Sequence, residues 1–485
     1  MRIFTYLVIS LLVLGALALL VFGPRTTEPI PPGRIVVEYW EKWAGDEEKK
    51  MRSIIDEFNQ GQGAQKNIYV RYLSMSNVYQ KTLVATGGGA PPDIAGMFDW
   101  NLVQYASLGA IQPLDELAKS HGIDENTYKP VYWRSMNYDG HLWALISTPA
   151  SIGLLYNKKI FQEEAATLRA KGLDPDRPPQ TIDELDKYAA ALDKQDATGR
   201  IARAGTIPVE PGWYLDYLPI WFDGNIWDEK NHKFTLTDPK TVKAFEWIKS
   251  YSHKLGSRAV KEFYTTLGGG TGNFDSPQNP FMHGDVVMEM NGPWMANYIY
   301  NNNPQLSKPR LTMTHAEEMK LSLEARRKLY DWAVAPWPSD DPNKKDVAYC
   351  TSDVMMIPVG AKHPKEAFEF MAYLTRQDVM EKICKLHCKN SPLARVSDNF
   401  LHDHDNPYID VFERLASSPN AQFAPRIPIF QEVHDALEVV IQNLALTDAE
   451  TLPTLQAAQV RLQAMYDEFI EKQNARHPAG PAAAK

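Results

Sequence analysis

The apolar positions of this chain change period repeatedly. Arg34 to Tyr39 is β-branched and alternating, with Ile35, Val36, Val37 and Tyr39, which predicts a strand. Asp46 to Phe58 then places Met51, Ile54, Ile55 and Phe58 at helical spacing, with Asp46 able to cap the helix. Asn67 to Leu73 reads as a second strand, Val78 to Thr86 as a helix stopped by Gly87-Gly88-Gly89, and Asp93 to Met97 as a third strand. Strand, helix, strand, helix, strand is the signature of α/β layers.

Further along, Leu102 to Leu108 and Leu114 to Lys119 read as short helices. Leu142 to Ile146 and Ile152 to Tyr156 read as strands around a loop at Ser147 to Ala150. Ile182 to Leu192 reads as a helix capped by Thr181, with Glu184 completing a capping box. Helices are predicted at Pro239 to Leu255, Pro364 to Leu374, Gln377 to Leu386 and Thr454 to Lys472, and strands at Val286 to Met290, Trp332 to Ala335 and Val354 to Ile357. Asn474 to Lys485, rich in Ala and Pro, reads as a loose tail within a disordered end at 473–485. No internal repeat is present.

The N-terminal segment has a different character. Ile3 to Phe22 is uncharged and long enough for a membrane helix, and a Pro-rich linker follows. Ala16-Leu17-Ala18 also fits a signal-peptidase site, so an anchor and a cleaved signal compete. The apolar length favours an anchor over residues 1–33, and either reading carries the body out of the cytoplasm. No second apolar stretch of spanning length exists, which excludes a channel or permease.

Composition narrows the function classes. Of 485 residues, 44% are hydrophobic and 23% charged, so the body is globular, and the length suits two or three domains. The net charge of −9 argues against nucleic acid as a partner. The 12 Trp hint at planar binding surfaces. The 3 Cys exclude a disulfide scaffold; Cys384 and Cys388 read as free thiols, with a bridge as the alternative. No metalloprotease, nucleophile-elbow or phosphate-loop motif occurs, and Gly268 to Gly272 lacks the phosphate-binding Lys. His402-Asp403-His404-Asp405 reads as a solvated loop rather than a metal site. Glu47/Glu48 and Glu163/Glu164 are adjacent on helices and read as surface charges. Neither a cofactor nor a metal is expected.

Several segments, in order, carry a family resemblance. They are Val37 to Gly45, Ala90-Pro91-Pro92-Asp93-Ile94, Tyr105 with Leu108-Gly109-Ala110 and Pro113-Leu114-Asp115, Tyr138 to Leu145, Leu155-Tyr156-Asn157-Lys158, and Thr181 to Leu185. Phe281 to Met288 then leads into Gly292-Pro293-Trp294, the most specific of them, followed by Trp332 to Pro338, Val354 to Gly360 and Pro364 to Leu374. From Arg34 onward the chain resembles the extracellular solute-binding proteins of bacterial ABC importers, the sugar-binding family that includes maltose-binding protein. It departs from the pattern at the charged insertion Asn301 to Tyr330, expected to be helical, at Cys350 to Asp353, and at Asn390-Ser391-Pro392.

The resemblance implies a two-lobe α/β fold with a ligand cleft between discontinuous lobes. Lobe one is placed at 34–147 and 335–386, and lobe two at 148–334 and 387–472. The implied function is capture of a mono- or oligosaccharide by hinge closure and its presentation to permease subunits, by a monomer outside the cytoplasm. The implied ligand-binding residues are Trp40, Trp43, Asp99, Trp100, Asn101, Glu210, Trp213, Tyr214, Trp294, Asp353, Arg426 and Phe430. Trp133, Trp143, Trp221, Trp227, Trp247, Trp332 and Trp337 are left to packing. Two alternatives stand beside this reading: a membrane-anchored sensor or scaffold, and a glycan-active enzyme, for which Asp99 and Glu210 are the only carboxylate pair to nominate.

Overall fold

The computed structural model describes residues 30–266, 276, 278–303 and 305–476. The predicted anchor or signal, the glycines at Gly268 to Gly272 and the end of the tail lie outside the described residues. Among the described residues, no helix is long and apolar enough to cross a membrane.

Two sheets organise the chain. In the first, β1 (Ile35–Glu41) pairs in parallel with both β2 (Ile68–Ser74) and β3 (Ile94–Phe98). The intervening helices α1 (Gly45–Gln60) and α2 (Val78–Gly87) supply the crossovers that parallel pairing requires. α1 buries Met51, Ile54, Ile55 and Phe58, the stripe expected from spacing. The same sheet contains β4 (Leu145–Ser151) and is extended late in the chain by β8 (Ala348–Met356) and β9 (Ala421–Gln422). β8 runs antiparallel to both β3 and β4. The second sheet is a small antiparallel one in which β5 (Gly153–Asn157) lies between β6 (Met288–Asn291) and β7 (Trp332–Ala335).

Several expectations change. Ser147 to Ala150 is strand, not loop, because it hydrogen-bonds along β8, with Thr148 opposite Asp353 and Pro149 opposite Ser352. β8 itself begins six residues before the predicted Val354, carrying Cys350 to Asp353 into the sheet. α3 (Ile182–Leu192) has Thr181 as its cap, but the box is only half formed. The Glu184 carboxylate accepts from Gln180 N and engages Arg177 instead. The insertion is not one helix: Pro309–Thr312, His315–Glu318 and Leu323–Leu329 are three short pieces, the latter two restarted by the Thr314 and Ser322 caps. The solvated-loop expectation fails at His404, which is buried. Its Nε2 meets Lys389 O and its Nδ1 accepts from Asn406 N, and burial first of all drives its pKa down to about 3. Cys350, Cys384 and Cys388 are buried free thiols. A long helix that the spacing reading did not single out, α6 (Phe430–Leu446), packs on α4 (Pro239–Leu255) and α7 (Thr451–Arg476), and α5 (Met295–Asn302) follows β6 in the chain.

Candidate ligand-binding cleft

The carboxyl ends of β1, β2 and β3 all open into one cleft of about 720 Å³. That is where parallel α/β sheets place ligands, because the chain leaves each strand in a loop with free side chains. Lys42, Trp43 and Glu47 follow β1, Ser76 and Asn77 follow β2, and Trp100 and Asn101 follow β3. Trp213 and Tyr214 precede the turn of helix Leu215–Phe222, and Trp294 follows β6; these form the facing wall. Tyr79, Tyr217 and Tyr298 add further aromatic surface.

The Gly-Pro-Trp segment has a steric logic. A Cβ at Gly292 would sit 2.1–2.5 Å from ring atoms of Trp294, so only glycine lets the indole fold back over the turn. The half-buried ring then lies 6.3 Å, centroid to centroid, from Trp213.

An ionic cluster forms the floor. Asp353 Oδ1 lies 2.7 Å from Lys42 Nζ, and its Oδ2 lies 3.1 Å from Lys389 Nζ and accepts from Thr148 Oγ1 at 2.7 Å. Burial alone would raise the Asp353 carboxyl, yet the two ammoniums and the hydroxyl hold it well below the usual carboxylate range. Burial likewise opposes the Lys42 charge, and Asp353 and Glu41 together raise its pKa above the ordinary value. Glu41 is fully buried beneath, where Tyr39 Oη and Lys42 N donate to it. A Cβ at Gly96 would strike that carboxylate at 2.0 Å, which explains a glycine inside β3. The Lys389 ammonium sits 5.7 Å from the Trp43 ring and 5.9 Å from the Trp294 ring, between residues of opposite walls. At one side, burial disfavours the His434 imidazolium, but Asp216 at 2.8 Å outweighs it and raises His434 to about 9.

The structure brings together Trp43, Trp100, Asn101, Trp213, Tyr214, Trp294 and Asp353 of the sequence-predicted set. Asp99 lies just beneath, accepting from Thr351 Oγ1 at 3.0 Å and Ser352 N at 3.1 Å, and burial raises it to about 7. Four residues stand elsewhere. Trp40 alternates away from the cleft on β1. Glu210 lies behind Trp213 in a small cavity with Trp247 and Trp337; burial raises it to about 7, and the neighbouring Glu289 to about 8. Arg426 pairs with Glu229 in a separate depression of about 250 Å³. Phe430 is fully buried and stacks on Tyr217. Asp99 and Glu210 therefore do not face each other across the cleft as an acid/base pair would. Lys42, Glu47, Thr148, Lys389 and His434 line the cleft without having been anticipated. Lys42 lies within the segment Val37 to Gly45 and Lys389 directly precedes Asn390-Ser391-Pro392, whereas Glu47, Thr148 and His434 carry no local signal.

The chain thus places an aromatic-lined cleft at the carboxyl ends of its parallel strands, where α/β sheets bind ligands. The chain belongs to the bacterial extracellular solute-binding protein family, whose model matches residues 44–381. It is 21% identical over 263 residues to the maltotriose-binding protein of Pyrococcus abyssi, covering 54% of this chain and 50% of that protein. It is 25% identical over 268 residues to the sn-glycerol-3-phosphate-binding periplasmic protein UgpB of Escherichia coli K12, covering 52% and 55%. The chain thus spans about half the length of the curated relatives it matches. Among solved structures, CpMnBP1 with mannotriose bound aligns with a TM-score of 0.71 at 24% identity, over 88% of this chain and 99% of that one. UgpB from Mycobacterium tuberculosis in complex with glycerophosphocholine aligns with a TM-score of 0.67 at 19% identity, over 90% and 100%. The fold is accordingly that of two-lobe solute-binding proteins, which the family places outside the cytoplasm.

Proposed function

We propose that this protein captures a neutral carbohydrate, a mono- or oligosaccharide, between its two lobes and presents it to the permease subunits of an importer. The observation that carries this reading is the pairing of aromatic walls with a charge-compensated floor. Trp43 and Trp100 on one side and Trp213, Tyr214 and Trp294 on the other offer faces to the C–H surfaces of sugar rings. Asn101, Thr148, Asp353 and the two lysines offer hydrogen-bonding groups for hydroxyls. The ammoniums of Lys42 and Lys389 are already matched by Asp353 and Glu41, so the floor does not call for an ionic ligand. The relatives that bind maltotriose and mannotriose agree in ligand class.

Lobe one is assigned to the sheet of β1 to β4, β8 and β9, and lobe two to that of β5 to β7; Thr148 to Ser151 and Ala421–Gln422 then go with lobe one, although the sequence-based boundaries give them to lobe two. The N-terminal apolar segment tethers the body to the membrane, and the protein acts as a monomer. A thermal-shift screen against mono- and oligosaccharides, followed by calorimetry on the hits, tests the reading. A saturable hit returned intact after long incubation is the expected result. Hydrolysis of the sugar, or a response confined to anionic solutes, would overturn it.

A further inference from the structure

Each of the two segments that form the facing wall of the cleft has a buried carboxyl at its root. Glu210 precedes Trp213 and Tyr214 in one loop, and Glu289 lies on β6, just before the turn that carries Trp294. Glu289 is 1% exposed and Glu210 7%. The Oε2 atoms of both are enclosed, and neither makes a hydrogen bond among the described residues. The charge that acts on Glu289 there is that of Glu210, of like sign. A carboxylate buried without a countercharge is far less stable than its neutral acid, and a like-charged neighbour widens the gap. Burial raises Glu289 to about 8, with the Asn291 amide opposing and Glu210 adding to it, and burial raises Glu210 to about 7.

Glu289 reaches the cleft through its neighbours. Its Oε1 accepts from Asn291 Nδ2 at 3.0 Å, and Asn291 Oδ1 accepts from Gly292 N at 2.8 Å. Gly292 is the residue over which the Trp294 ring folds. The buried Asn291 amide thus links the carboxyl to the turn, donating at one end and accepting at the other. Charged groups on the surrounding elements are engaged elsewhere. Asp193 accepts from Gly205 N, Arg203 pairs with Glu164, and Asp186 of α3 pairs with Lys254 of α4. Tyr264 of helix Ser257–Thr266 faces Glu210, and burial, then Glu438 and Glu210, raise its pKa, so it stays a neutral phenol.

We propose that Glu289 is a positioning residue of the cleft: as the neutral acid it holds Asn291 and the turn bearing Trp294 beside the loop bearing Trp213, and loss of its proton drives these aromatic segments apart. An ionised Glu289 gains by meeting water and by leaving Glu210, and neither is possible while the two rings stand 6.3 Å apart. The closed wall therefore holds the proton more tightly than the parted one. Affinity is full below about pH 7 and falls as pH rises past about 8. The effect on affinity rests on the carbohydrate reading of the cleft; the effect on ring placement does not.

The test labels the full chain with 5-fluorotryptophan and follows the Trp294 resonance by ¹⁹F NMR without ligand, assigned by Trp294→Phe. In the wild type it should move between about pH 6 and about pH 9, centred near the Glu289 value of about 8. Glu289→Gln keeps an acceptor for Asn291 but cannot ionise, so its resonance should stay at the acid position throughout. Calorimetry with mannotriose and maltotriose is the second readout. Where either binds, wild-type affinity should fall about tenfold from about pH 7 to about pH 9, the loss expected for one linked proton, and Glu289→Gln should abolish that fall. A wild-type resonance that does not move over this range, or one that moves equally in Glu289→Gln, would overturn the proposal. If Glu289→Gln does not fold, Asn291→Ala cuts the same link, and a Trp294 resonance that still titrates there overturns it too. If neither sugar binds at any pH, the carbohydrate reading fails, while the ligand-free resonance still decides the role of Glu289.

Discussion

At the scale of the single residue, position relative to the cleft separates tryptophans that composition alone cannot. Trp294 lines the cleft and is only partly buried, whereas Trp247 is buried, donates from Nε1 to Asp186 at 2.9 Å and meets Tyr251 and Trp337 edge-on. Trp294→Ala should cost about 2 kcal/mol or more of sugar affinity, roughly thirtyfold, with a smaller loss of melting temperature. Trp247→Ala should do the reverse. Calorimetry and melting curves on both variants check this, and an unchanged affinity in Trp294→Ala would remove that ring from the site. Asp353 gives a second prediction. Replacing it with Asn leaves the Lys42 and Lys389 ammoniums without their shared countercharge, which should cost about 3 kcal/mol of stability. The sign of its pH dependence is fixed by its depressed pKa. The folded form holds the proton less tightly than the unfolded chain, so the Asp353 contribution is complete above about pH 4 and fades as pH falls through the lower folded value. The deficit of Asp353→Asn relative to the wild type should therefore narrow in acid, measured by denaturant unfolding across pH.

At the scale of the element, the turn after β6 shows how one small residue sets a binding surface. Gly292→Ala introduces a methyl group where the Trp294 ring lies, so the ring must swing away from its place opposite Trp213. The expected outcome is a loss of affinity comparable to that of Trp294→Ala while the near-native fold is kept, read by calorimetry with near-ultraviolet circular dichroism. An unaltered affinity would show that ring placement does not matter. Elements also mark the limit of what was legible in the sequence. β1, β2 and α1 were readable because their burial follows one period over a short stretch, and β3, buried from Ile94 to Met97, was readable as a short apolar run. β4 was misread at Ser147 to Ala150 and β8 at Ala348 to Asp353 because both strands are buried along their whole length, so period-2 alternation disappears. The cleft was legible where a residue follows a parallel strand, as Trp43 and Trp100 do. It was not legible for Lys389 and His434, which arrive from a loop and a late helix. Arg426 and Phe430 were misplaced for the converse reason: their types suit a sugar site, but α6 and the loop before it turn them into a different depression and into the core.

At the scale of the whole molecule, the two sheets are joined by strands that run side by side. β4 ends at Ser151 and β5 begins at Gly153, with only Ile152 between the sheets, and Ile152 N donates to Tyr349 O at the head of β8. A Cβ at Gly153 would lie 2.9 Å from Ala335 O, so the returning strand β7 presses against the first crossing. Such a joint is narrow and permits rotation of two rigid lobes with little internal rearrangement. If, as proposed, a ligand is gripped by Trp43 and Trp100 on one side and Trp213 and Trp294 on the other, it would interact fully only when the walls approach, and its differential affinity would drive closure. X-ray scattering should therefore show a smaller radius of gyration on saturation with the bound sugar. Trp294→Ala held at saturating sugar should close less, because one wall has lost its grip while the other still binds. A saturated wild type with an unchanged radius would mean that the lobes do not move on binding, and that the cleft is filled without closing.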